Sequence, residues 1–274
     1  MSELFGKNSK HLMKKNVMKD EFGWEIPYES VPLPSKGTVY SPDSILYKKD
    51  TIKIKSMTAR EEDILTSPAL LKEGTVMTHL LKSCIVEGGF DVDDLIIGDR
   101  NAILTSIRIT GYGTGYTVIP KCSSCGHANE LTVDLSALKI KRLKIEPVEA
   151  GKNLFEFVLP VTNKKILFRY TTASQENERI VRSENIKKHL NTIVDDTVSS
   201  SVEFAIHSID DISDRNKIKH FVLNMPAFDS RALRKYMREN EPGIDMTHSF
   251  TCSACSYENN FIIPVTANFF WPEI

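Results

Sequence analysis

Cys122-Ser-Ser-Cys-Gly-His-Ala-Asn-Glu-Leu131 and Cys252-Ser-Ala-Cys-Ser-Tyr-Glu-Asn-Asn-Phe261 align without a gap, sharing both cysteines, the first serine, an asparagine and a closing apolar residue. Each pair places two thiols on one tight turn. Two such turns face to face make a tetrahedral four-sulfur cage that suits Zn²⁺. Each segment is followed by a short β-prone run, Leu131–Leu135 and Phe261–Val265. The pattern predicts two zinc knuckles of one ribbon, separated by the long insertion 126–251. Cys122, Cys125, Cys252 and Cys255 are then the ligands of one zinc per chain, and clipping residue 122 to residue 255 closes about half the chain into one loop. A closed four-cysteine shell leaves no open position for water, so the zinc is expected to be structural.

Other uses of paired cysteines fit less well. A redox-active CxxC opens a helix in a thioredoxin-like pattern, whereas both pairs here lie between β-prone segments. Two structural disulfides need an oxidising compartment, and Met1–Lys19 is polar and basic with no apolar signal core. An iron or iron–sulfur centre is a third use of the same four ligands. The fifth cysteine, Cys84, falls on the apolar face of a predicted helix and is expected in the core.

Of the 274 residues, 41% are hydrophobic and 26% charged, as in an ordinary globular chain. The 35 basic and 36 acidic residues give a net charge of −1, which lacks the basic excess of a nucleic-acid binder. No apolar run reaches 18 residues, so no transmembrane helix is expected.

Outward from the knuckles, the chain divides into four parts. Residues 1–50 read as an extended arm followed by a proline-rich strap, in which Pro27, Pro32, Pro34 and Pro42 exclude helix. Residues 51–112 read as a helical lobe. It starts with the alternating strand Thr51-Ile-Lys-Ile-Lys55 and the capping box Thr58-Ala-Arg-Glu61, followed by helices over 69–86 and 92–112. Residues 113–171 with 245–274 form the zinc-clipped β element and C-terminal tail, including a hairpin of 153–159 and 165–171. Residues 172–244 read as an inserted helical lobe, with helices over 172–190, 192–209, 214–224 and 229–239. The predicted class is α+β.

Catalytic constellations are thin. The seven histidines show no HExxH or similar spacing. Gly111-Tyr-Gly-Thr-Gly115 lacks the order of a phosphate loop, and Asp210–Asp214 lacks the glycine and closing glutamate of a calcium loop. His127 and His248 flank the knuckles and leave a three-cysteine-plus-histidine hydrolase site as an alternative. The basic runs Lys139–Lys144 and Arg231–Arg238 are interleaved with acids and read as solvated surface. A zinc-ribbon adaptor for nucleic acid or a transcription complex is the other alternative. Aromatic and aliphatic side chains crowd the two ends: Trp24, Ile26, Tyr28, Leu33 and Tyr40 on the strap, Phe269, Phe270 and Trp271 on the tail. Such anchors on extended segments are expected to bind partner subunits, the alternative being that both tails fold back onto the chain's own core.

Val31–Tyr40, the strand followed by Met57-Thr-Ala-Arg-Glu-Glu-Asp-Ile-Leu65, and a late CxxC ahead of Phe269-Phe-Trp-Pro272 form an ordered set. It resembles the baseplate proteins of T4-like contractile-tailed bacteriophages, the group of the hub subunit or hub-assembly protein. The resemblance implies a non-enzymatic protein that builds the tail baseplate in multiple copies of a symmetric assembly. Its partners would be other baseplate and tail proteins, with no nucleic acid or membrane. It would be made in the host cytoplasm and located in the virion baseplate.

Overall fold

The computed structural model describes residues 17–19, 23, 25–179, 197–265 and 267–270. Strands β1 (Val17–Lys19), β2 (Glu25–Pro32) and β3 (Thr51–Lys55) form an antiparallel sheet in that order. The β2 strand pairs with β1 through residues 25–27 and with β3 through residues 28–32. Its prolines, Pro27 and Pro32, therefore fall at the ends of the two ladders, where a missing N–H is tolerated. Alternation along β3 sends Ile52 and Ile54 into the core while Thr51 and Lys53 face solvent.

Helix α1 (Ala59–Thr66) opens with the expected capping box between Thr58 and Glu61. Burial alone would raise the Glu61 carboxyl, but hydrogen bonds from Ser83, Thr58 and Lys55 hold it down to about 2. The single helix expected over 69–86 is instead two, α2 (Pro68–Glu73) and α3 (Val76–Cys84). Gly74 divides them in the left-handed region (φ 71°), a conformation that caps a helix C-terminus. Cys84 is buried as expected. The helix predicted from residue 92 begins later. A 3₁₀ turn at Val92–Asp94 leads to Leu95 and Ile96 in extended conformation, both packed in the core, and α4 runs Ile97–Tyr112.

Helix α4 is the centre of the molecule, with ten of its residues buried from Gly98 to Ile109. Two polar side chains on it determine where the chain's ends go. Asp99 is fully buried and accepts hydrogen bonds from the Ser35 backbone N–H (2.9 Å), the Ser35 hydroxyl and the Tyr40 hydroxyl (2.6 Å). Burial pushes the Asp99 carboxyl up and the Tyr40 phenol well above its ordinary value. Arg108 is also buried and donates to the carbonyls of Phe269 (3.0 Å), Gly113 (3.0 Å) and Gly115 (3.2 Å). Its guanidinium lies against the rings of Tyr112 and Tyr116, and burial lowers its pKa. A buried charge is tolerated only with its donors or acceptors filled, as they are at both residues.

These anchors correct four of the expected partner contacts. Leu33, Tyr40, Phe269 and Phe270 are in the chain's own core, with Phe269 packed edge-on against Tyr116 and Phe270. Hydrogen bonds from Ser35 and Tyr40 to Asp99 tie the strap to α4, and the one from Arg108 to the Phe269 carbonyl ties the tail. Tyr28 is half-buried on β2, and Trp24, Trp271 and the side chain of Ile26 lie outside the described residues.

Beyond α4, β4 (Gly115–Val118) pairs with β5 (Leu131–Asp134), and β6 (Ile140–Lys141) pairs with β10 (Gly243–Ile244). The expected hairpin is β7 (Phe155–Val158) with β8 (Lys165–Phe168). A third strand joins it, β9 (Ile206–Ile209), in a stretch expected to be helical. Helix α5 covers 173–179, and the rest of the helix expected to residue 190 lies outside the described residues. Then come α6 (Thr197–Ala205), α7 (Arg215–Asn224) and α8 (Ala227–Asn240). The final hairpin, β11 (Thr247–Thr251) with β12 (Glu258–Ile262), precedes a 3₁₀ turn at Ala267–Phe270. Helices and small antiparallel sheets share one buried cluster running from Val31 to Phe270, an α+β arrangement.

Candidate metal centre

Each cysteine pair sits at the tip of its own hairpin, one between β4 and β5 and the other between β11 and β12. The two tips repeat one another bond for bond. The N–H of Cys122 donates to the His127 carbonyl (2.8 Å), and that of Cys252 to the Tyr257 carbonyl (2.9 Å). The N–H of Gly126 donates to the Cys122 carbonyl and that of Ser256 to the Cys252 carbonyl, both at 2.9 Å. Gly126 and Ser256 share the left-handed conformation, with φ of 74° and 57°. The gapless alignment of the sequences therefore reports a real duplication of backbone shape.

The four sulfurs lie within 4.8 Å of one another, with Cys122 Sγ 3.7 Å from Cys255 Sγ and Cys125 Sγ 3.7 Å from Cys252 Sγ. A regular tetrahedron of sulfurs about 2.3 Å from a central ion has edges of about 3.8 Å. The cage thus has the dimensions of a four-thiolate metal site. Cys122 and Cys252 are buried; Cys125 and Cys255 are exposed. Among the described residues no histidine or carboxylate joins the cluster. His248 instead packs edge-on against Phe261, and His127 is exposed.

Electrostatics across the cage are uneven. Backbone N–H groups of Cys125 and Ser124 lower the Cys122 thiol to about 6. Burial opposes ionisation of Cys252, but the N–H groups of Ala254 and Cys255 lower it on balance. At Cys255 the N–H of Tyr257 favours the thiolate, yet the facing cysteines outweigh it and push the thiol up to about 12. Four sulfurs this close cannot all ionise without a cation among them, and a divalent ion held there would supply that charge.

Two residues absent from the predicted site complete it. Asn129 accepts at Oδ1 from the backbone N–H (2.9 Å) and hydroxyl (3.0 Å) of Ser253, and its amide N–H reaches Cys252 Sγ at 3.7 Å. Asn259 does the same in reverse, accepting from Ser123 N–H and hydroxyl (both 2.9 Å) and reaching Cys122 Sγ at 3.5 Å. Each asparagine belongs to one knuckle and holds the other. The shared asparagine of the alignment was the available signal; its role needed the facing knuckle. Such outer partners fix the orientation of the ligands beneath them, and their loss costs about 10- to 100-fold in metal affinity. Asn129→Ala with Asn259→Ala is therefore expected to weaken metal retention at least about tenfold, measured by competition with a chromophoric chelator. Unchanged retention would remove the two amides from the site.

A family model described as T4 bacteriophage base plate protein matches residues 28–271. The chain belongs to this family. The match takes in the strap from residue 28, α4, both knuckles and the folded-back tail, and so spans every residue of the buried cluster. Searches of curated proteins and of solved structures return no match. Among the described residues of this base plate protein, no helix is long and apolar enough to cross a membrane.

Proposed function

We propose that this chain is a non-catalytic subunit or assembly factor of the hub region of a contractile-tail baseplate, stapled by one structural zinc. The family match over residues 28–271 carries the reading. Cys122, Cys125, Cys252 and Cys255 hold the zinc, which supplies the central charge and leaves no ligand position for substrate or water. The staple positions surfaces that bind neighbouring tail proteins, in several copies of a symmetric assembly. Tyr28 is one such contact on the strap, with Trp24, Ile26 and Trp271 as the others. Residues 172–244 are inserted between the knuckles, and their β9 and β10 strands join them to β8 and β6. The protein is made in the host cytoplasm and acts in the baseplate, without nucleic acid or membrane.

Purified baseplate intermediates test the reading. The chain is expected in them, at a fixed ratio to the other subunits and with one zinc per chain. Cobalt exchange should give the intense sulfur-to-cobalt absorption of a tetrahedral four-thiolate site. Absence of the chain from every tail intermediate overturns the baseplate reading; an exchangeable water on the cobalt overturns the closed site.

A further inference from the structure

Helix α8 has two faces of opposite character. Asp229 and Leu233 are buried, and Tyr236 and Met237 pack against the core beside them. The opposite face carries Phe228, which is 64% exposed, and the exposed cations Arg231, Arg234, Lys235 and Arg238. Steps of three and four residues place 228, 231, 235 and 238 in one row, with 234 beside it. The Asp229 carboxylate keeps this face outward. It accepts from Val161 N–H (2.8 Å), Thr162 N–H (3.1 Å) and the Thr162 hydroxyl (2.8 Å), tying the start of α8 to the β7–β8 turn.

The interleaved acids answer only part of this charge, Glu241 facing Lys141 and Glu239 facing Lys235. Glu239 lies 3.8 Å from Lys235, with both side chains well exposed. Arg234 Nε donates to the carbonyl of Ser230 in its own helix. Among the described residues, Arg231 and Arg238 meet no carboxylate. The second basic run joins the first in space, because Lys141 Nζ donates to the Arg238 carbonyl (3.2 Å) while β6 pairs with β10. The net charge of the chain is −1, so this is segregation of charge, not general basicity.

We propose that the outer face of α8, with the β6 segment, docks an acidic surface of a neighbouring tail protein, Phe228 entering an apolar pocket and Arg231, Arg234, Lys235 and Arg238 pairing with carboxylates. This rests on the baseplate reading. Guanidiniums pair with carboxylates through two parallel N–H bonds, and an aromatic anchor beside arginines is the composition of an interface centre. A row of phosphates would be served by charge alone. An exposed phenylalanine heading the row, on a convex helix, favours protein over nucleic acid.

The full chain is tested in phage-infected cells in two ways. With Arg234→p-benzoylphenylalanine, irradiation is expected to link the chain to a segment of another tail protein rich in Asp and Glu, identified by mass spectrometry. A link to nucleic acid, to a second copy of this chain, or to nothing overturns the proposal. The triple variant Arg231→Glu, Arg234→Glu, Lys235→Glu should melt within about 2 °C of the parent, because all three side chains are exposed. It should enter baseplate intermediates at least about tenfold less than the parent. Parent and variant entering equally defeats the α8 face alone. A parent that enters none defeats the baseplate reading itself.

Discussion

Cys252→Ser is expected to release the metal and to lower the melting temperature by roughly 6–12 °C, at about 2–4 °C per kcal/mol for a chain of this size. Structural zinc contributes on the order of 10 kcal/mol to a small metallo-domain with no other core. Here the bases of the two hairpins carry their own buried side chains, including Val133, Leu135, Met246 and Ile263. Each is worth about 1.5–3 kcal/mol when fully buried, so part of the hairpin structure survives without metal. The loss falls on the tips. Cys252, buried like Cys122, receives the Asn129 amide, so a serine there removes a charge-bearing sulfur and leaves that amide facing a poorer acceptor site. A global loss of about 3 kcal/mol follows from uncoupling two hairpins joined across half the chain. Calorimetry with metal analysis on the same sample checks it. A variant that keeps one metal ion per chain and melts like the parent would sink the staple.

Gly98→Ala should destabilise by about 3 kcal/mol, the upper end of the cost of overpacking a core. Alanine favours helix over glycine by about 1 kcal/mol, so local propensity predicts the opposite sign. Packing decides. A Cβ at residue 98 would lie 1.8 Å from the Pro242 carbonyl oxygen, 2.7 Å from its carbon and 3.1 Å from the Cα of Gly243. All three are backbone atoms, so no side chain can swing aside. Either α4 or β10 must move. The first displacement disturbs Asp99 and its hold on the strap, and the second breaks the ladder to β6. Gly88→Ala is the control: a Cβ there meets nothing within 4 Å, and a change within about 0.5 kcal/mol is expected. Denaturant titration of both variants checks the difference. Equal stabilities would mean that α4 and β10 separate freely.

The meeting of the four cysteines was legible in the sequence because the knuckle pattern is local and present twice. A CxxC turn makes its own backbone hydrogen bonds and aims its own sulfurs, so ligand identity can be read at each knuckle separately. The capping box at Thr58 and the alternation of β3 are local in the same way. Short apolar runs are not. Ile206-His-Ser-Ile209 continues a helical pattern as well as it makes a strand, and the free edge of β8 settles the matter. The asparagines at 129 and 259 belonged to the same class: visible as a repeat, but meaningful only when the knuckles face each other.

From sequence alone came the α+β class, the four cysteines, and the membership suggested by motif order. The class and each knuckle rest on residues close together in the chain, where spacing dictates geometry, and the membership rests on the order of motifs from Val31 to Pro272. Tertiary structure alone decided the fate of the two aromatic ends. Leu33, Tyr40, Phe269 and Phe270 have the composition of an interface, and also that of a core; the choice depends on what lies opposite. Opposite them lie the apolar core and two buried polar groups of one helix, Asp99 and Arg108, which bond to the strap and the tail. The same long-range packing turned α8 outward, leaving its aromatic and its cations to solvent.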